Sequence, residues 1–164
     1  MDFEIEQRFS APLETVEAAL IDAKFLARLA SLPKLGQPDL LDQQRNGDVV
    51  TQRVRYAFVG ELSGAVRRVV DPKRLTWVEV STIDLTRHAT TFEIVPDNYG
   101  NMLKCHGSFQ LRSGQDGCVR LADGVVQVHV PLVGRRVEAA IVSGLREHAE
   151  GEASVMTTWL SEAE

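Results

Sequence analysis

Two hydrophobic periods divide this chain. From Asn46 to Val130 apolar residues recur mostly at every second position, and from about Leu132 to Glu162 they recur every 3.6. A period of two marks strands with one covered face, and 3.6 marks an amphipathic helix. Consecutive alternating segments joined by short turns make an antiparallel sheet. Such a sheet has one apolar face to cover, and only the terminal helix is long enough, at roughly 45 Å for about 30 residues. One helix does not fill the concavity of a curved sheet, so the pattern predicts an α+β fold with a cavity.

The remaining elements follow from local signals. FEIEQRF alternates and reads as a first strand. SAPLETVEAAL reads as a short helix with Ser10 as N-cap and Pro12 in the first turn. DAKFLARLASL reads as a second, capped by Asp22 and stopped by Pro33. Asn46-Gly47 is a hairpin turn, and VVTQRVRYAF is the strand after it. LSGAVRRVV, turned by Asp71-Pro72, is read as a further strand, followed by RLTWVEVSTI, HATTFEIV and MLKCHGSFQLR. Turns are placed at Ile83-Asp84 and Asp97 to Gly100, and a hairpin at Gly114 to Gly117. In CVRLADGVVQVHV the apolar parity shifts from Val119 and Leu121 to Val126, Val128 and Val130, which predicts a β-bulge at Asp123-Gly124. The expected product is one domain over residues 1–164, with about seven strands, two short helices and one long C-terminal helix.

Composition excludes several classes. The 164 residues are 44% hydrophobic and 25% charged, the balance of a globular domain. A net charge of −5 argues against nucleic acid as partner, because phosphate binding needs a basic surface. The acidic, alternating start MDFEIEQ lacks the features of a signal peptide. No apolar run reaches the roughly 18 residues of a membrane span, so the expected compartment is the cytoplasm, without stable membrane insertion. Cys105 and Cys118 have no CxxC spacing and are expected as free buried thiols. The oligomeric state is left open.

Candidate site residues come from parity. Winding the terminal helix gathers Val137, Ile141, Leu145, Val155 and Trp159 on one side, with His148 and Glu152 inside that stripe. Spaced i, i+4, these two can touch. They either satisfy each other, orient a ligand, or act as a general acid–base pair. His88 shares parity with Thr90, Phe92 and Ile94 and is expected to face inward. Tyr56 is a candidate lining residue through its hydroxyl, and Phe92, Phe109, Ile141 and Leu145 are core or lining positions. His106 and His129 are expected at the surface. Gly144 and Gly151 edge the helix stripe, as close-packing points or as a bend. No metal site is expected, since HxxxE lacks a third ligand and HExxH is absent. No cofactor motif, phosphate loop or nucleophile signature is present, so no catalytic residue is assigned.

The order of elements resembles the START-like superfamily, also called SRPBCC or helix-grip, which includes the birch-pollen allergen group. Within it, three segments resemble an uncharacterised bacterial family: RRVVDPKRLTWVEV, HATTFEIVPDNYGNMLKCHGSFQL and VQVHVPLVGRRVEAAIVSGLREH. The resemblance implies a pocket between sheet and helix for lipids, sterols, polyketides or other apolar molecules. It implies no particular reaction, because catalytic residues differ between branches. The expectation is a non-catalytic protein that binds a small apolar or amphipathic molecule, such as a lipid, polyketide or isoprenoid-like compound. Its residues are Tyr56, His88, Phe92, Phe109, Ile141, Leu145, His148 and Glu152. The alternatives are a cyclase- or hydrolase-type enzyme using His148 and Glu152, and an interaction protein whose cavity is filled.

Overall fold

A computed structural model describes residues 1–163. Strand β1 (Asp2–Phe9) leads into helices α1 (Leu13–Leu20) and α2 (Ala23–Arg28), the latter tightening into a 3-10 turn at Leu29–Ser31. Then come β2 (Asp39–Asn46), β3 (Val49–Ala57), a one-turn helix α3 (Gly64–Arg67), a 3-10 turn at Pro72–Arg74, β4 (Thr76–Asp84), β5 (Ala89–Pro96), β6 (Leu103–Gly114) and β7 (Gly117–Val128). Helix α4 (Gly134–Glu162) closes the order. The strands form one antiparallel sheet in the order β1-β7-β6-β5-β4-β3-β2, so the first strand joins the last.

Local chemistry explains most boundaries. The Asp22 carboxylate accepts the Lys24 amide at 2.7 Å and caps α2. Gly47 supplies the positive φ of 61° that the β2–β3 turn requires. The N-cap of α1 is Pro12 rather than Ser10; its carbonyl accepts the Thr15 and Val16 amides, and no side chain caps the helix. The turn expected at Ile83-Asp84 comes later: β4 runs through Asp84, whose carboxylate then accepts the Thr86 and Arg87 amides.

Two expected elements are corrected. LSGAVRRVV is not a strand: Gly64–Arg67 is helical, and the Val69 and Val70 amides return to the Val66 carbonyl. The valines fall at i, i+3, i+4, a helical spacing that never had period two. The bulge at Asp123-Gly124 is also absent. β7 pairs without interruption with both β1 and β6, and the register break lies in edge strand β2, between Leu40 and Asp42. Even positions face inward along the whole of β7: Cys118, Arg120, Ala122, Gly124 and Val126. Gly124 stands opposite Gly107, and a Cβ on Gly124 would lie 2.6 Å from both the His106 carbonyl oxygen and the Phe3 ring. Those two glycines let the strands and the ring approach closely without a bulge.

Helix α4 is continuous and packs on β1, β7 and α2. The core splits into two clusters. One joins α1, α2 and the C-terminal half of α4 through Val16, Phe25, Leu29 and Met156. The other joins Phe3, Phe92, Cys105, Val126 and Val142. Each fully buried side chain of this size contributes about 1.5–3 kcal/mol. Among the described residues no helix is long and apolar enough to cross a membrane.

Candidate functional site

A polar belt lies on the concave face. Glu152 of α4 is buried and receives the Arg120 guanidinium of β7. Gln7 of β1, paired with Arg120 in the register, ties the group together. Its amide nitrogen donates to the Ala149 carbonyl at 2.7 Å and to Glu152 Oε1 at 3.2 Å, and its oxygen accepts Arg120 Nε at 2.6 Å. The Phe109 ring lies 4.8 Å from the guanidinium carbon and the Phe9 ring 5.9 Å, within cation–π range. Glu152 is thus satisfied from two strands. Its expected partner is looser: His148 Nε2 stands 3.8 Å from Glu152 Oε2, too far for a hydrogen bond. His148 Nδ1 is buried with no hydrogen-bond partner among the described residues. Burial holds this imidazole below its ordinary pKa, against the pull of Glu152, with Arg120 adding to the depression.

Glu79 of β4 is a second carboxyl on this face. It stands in a cross-strand row with Val54, Ile94, Cys105 and Val126. Its one hydrogen bond among the described residues comes from the Ser81 hydroxyl at 3.1 Å. Arg120 is already engaged, so Glu79 has no cation of its own there. Burial raises its pKa, Ser81 opposes the rise, and Glu152 adds to it. Glu79 lies deep in the molecule and yet keeps accessible surface. Tyr56, 8% exposed, has no hydrogen-bond partner for its hydroxyl among the described residues; burial, then Glu79, pushes its pKa well up. Tyr56 stacks on Trp77 at 6.0 Å, and Phe92 on Phe109 at 4.8 Å.

Tyr56, Phe92, Phe109, Ile141, Leu145, His148 and Glu152 lie on the facing surfaces of sheet and helix, in or against the two core clusters and the polar belt. Ile141 and Leu145 pack on the second core cluster without being fully covered. His88 is not among them. It sits in the β4–β5 turn at φ 54°, and its Nδ1 lies 2.9 Å from Glu17 of α1. It lies one residue before β5 and turns against α1 rather than α4. Arg120, Gln7 and Glu79 were the residues sequence reasoning missed. Cys105 and Cys118 are free and buried, and burial pushes the Cys105 thiol up to about 12, which leaves it inert as a nucleophile. Among the described residues no three His, Cys, Asp or Glu side chains gather as metal ligands. Two surface hollows lie outside the concave face. One of about 180 Å³ runs between β1 and α4, and one of about 400 Å³ lies between the β1–α1 link and the β6–β7 hairpin.

A curved antiparallel sheet closed by a long C-terminal helix, with a polar belt between them, defines a helix-grip protein. The chain belongs to the family described as "Protein of unknown function (DUF2505)", which it matches over residues 4–160. No curated protein matches it. Among solved structures it is similar to TTHA0849 from Thermus thermophilus, with a TM-score of 0.71 and 14% identity over 96% of this chain and 98% of that one. It is also similar to the Zhui aromatase/cyclase from Streptomyces sp. R1128, with a TM-score of 0.59 and 14% identity over 100% and 94%. The di-domain ARO/CYC StfQ from the steffimycin biosynthetic pathway gives a TM-score of 0.67 and 11% identity over 99% of this chain and 51% of that one. At these identities the likeness is one of fold.

Proposed function

We propose that this protein binds a small apolar or amphipathic molecule, of lipid, polyketide or isoprenoid-like type, between the concave face of the sheet and α4. The observation that carries the reading is Glu79: a carboxyl deep on the sheet floor, without a cationic partner among the described residues, that retains accessible surface. A solid core would make such a group cost several kcal/mol, on the order of 2–7. Facing a ligand or water, it is a polar anchor in an otherwise apolar wall. Tyr56 and His148 each add an unpartnered polar atom, and Phe92, Phe109, Ile141 and Leu145 supply apolar surface. Two structural neighbours are described as aromatase/cyclases, which fits a fold that holds small organic molecules.

The test is uptake of an environment-sensitive naphthalene probe and its displacement by uncharged apolar compounds, beside native mass spectrometry of freshly purified protein. Leu145→Trp is expected to weaken uptake at a stability cost of about 1–3 kcal/mol. Failure to take up probes of any size would favour a filled core and an interaction protein.

One observation favours the enzymatic alternative. Burial pushes the Glu79 carboxyl up and the His148 imidazole down, and groups shifted in these opposite directions suit an acid–base pair. In that reading His148 is the base and Glu79 the acid. Turnover of a ring-closing or ester substrate, lost in Glu79→Gln with binding retained, would decide for it.

A further inference from the structure

Three loops leave the same end of the sheet, and they form one continuous rim. Residues 58–75 join β3 to β4, residues 97–102 join β5 to β6, and residues 129–133 join β7 to α4. The Tyr99 hydroxyl accepts the Asp71 amide at 3.1 Å, Arg74 lies 5.3 Å from the Tyr99 ring centre, and Arg74 donates to Asn98 at 3.0 Å. The His129 amide reaches the Met102 carbonyl at 2.7 Å. This end carries Val59, Val69 and Leu132, three of the exposed large apolar side chains.

Leu132 is wholly exposed and holds a φ of +68°, a left-handed conformation that a leucine enters only at a cost. The loop is not loose. The Val133 amide returns to the Pro131 carbonyl at 2.9 Å and the Gly134 amide to the Val130 carbonyl at 3.0 Å, so the leucine is held outward. Around these apolar tips stand Arg67, Arg68, Lys73, Arg74, Arg135 and Arg136, all exposed and none in an ion pair among the described residues. Within these segments the carboxylates outside an ion pair are Glu61 and Asp71, the latter accepting the Lys73 amide at 3.0 Å. In a chain of net charge −5, one end is therefore basic.

We propose that this end docks onto an anionic lipid surface, with Leu132, Val69 and Val59 entering the acyl boundary and the six basic side chains meeting the headgroups. Apolar tips on two loops, Val69 beside Arg67 and Arg68 and Leu132 beside Arg135 and Arg136, suit a bilayer interface. An obligate protein interface would instead present a larger and more continuous apolar patch. The contact is peripheral, since no helix among the described residues can span. It does not depend on what the concave face holds.

The experiment is flotation of the full chain with vesicles of phosphatidylcholine alone and of phosphatidylcholine mixed with phosphatidylglycerol. Binding is expected to the mixed vesicles only, and to fall with added salt. The charge reversals Arg67→Glu and Arg68→Glu together are expected to weaken it at least about tenfold. Leu132→Gly is expected to weaken it several-fold while leaving the melting temperature equal or higher, because glycine suits the backbone there. Equal binding to phosphatidylcholine alone would overturn the proposal. So would binding untouched by Leu132→Gly, or equal affinity for a soluble polyanion such as heparin, since either is plain charge adsorption.

Discussion

Arg120 holds the interior charge balance, because it neutralises Glu152 while Gln7 fixes both. Arg120→Met leaves a buried carboxylate beside apolar neighbours, and a loss of about 3–5 kcal/mol is expected. Adding Glu152→Leu should restore much of that. Denaturant unfolding of wild type, both singles and the double measures the coupling, and a double variant as weak as the sum of its parts would refute the pairing. His148→Leu, by contrast, should change stability by less than about 1 kcal/mol, since Glu152 keeps its partners and an unsatisfied nitrogen is removed. The helix half of this site was legible: Glu152 and His148 sit in an apolar stripe and attract notice. The strand half was not. Val119 and Leu121 set the wrong parity for β7 and turned Arg120 outward on paper. Glu79, between Val78 and Val80, reads as the solvent face of an alternating strand, and only its cross-strand row with Val54 and Ile94 shows otherwise.

Two interior glycines of α4, Gly144 and Gly151, separate cleanly. A Cβ on Gly144 would meet nothing within 4 Å, whereas one on Gly151 would come 2.5 Å from Leu32 Cδ2. Gly144→Ala should therefore stabilise by about 0.5–1 kcal/mol through helix propensity alone. Gly151→Ala should fall short of that by roughly 1 kcal/mol, because the end of the Leu32 side chain must move. Thermal or denaturant melts of the two variants check this, and equal gains would contradict the close approach of α4 to the turn after α2. Long elements were easiest to read. α4 starts two residues later than its periodicity suggested and is otherwise as expected, and the Asn46-Gly47 hairpin follows its turn chemistry. Edge strand β2 buries almost nothing and so carries no pattern to read. The short helix α3 was mistaken because five apolar residues in nine resemble a strand until their spacing is counted.

At the level of the whole molecule, stability should respond to pH through two opposed groups. Burial raises Glu79, so the folded state holds that proton more tightly than the unfolded chain. The resulting stability is present below the ordinary carboxylate range and is lost as pH rises through the raised pKa. Burial lowers His148, so its contribution is present above the ordinary imidazole range and is lost as pH falls through the depressed pKa. Glu79→Gln removes the first alone. Its stability relative to wild type should therefore climb as pH rises from the ordinary carboxylate range through the raised pKa, read from unfolding midpoints; a flat difference would show that Glu79 is freely solvated. Global architecture was legible because the change from period two to 3.6 dictates it, whereas the sheet's closure is not written in any one segment. Asp2 pairs with Val125 and Phe9 with Cys118. Strand β1 thus finds its partner only after β7 has been made, several seconds later at about 5–20 residues per second. Until then Phe3 and Phe9 have no sheet to join, and the nascent chain carries an unpaired alternating strand open to wrong partners. Pairings this distant in sequence place refolding in the millisecond-to-second range rather than the microseconds of local helical folds.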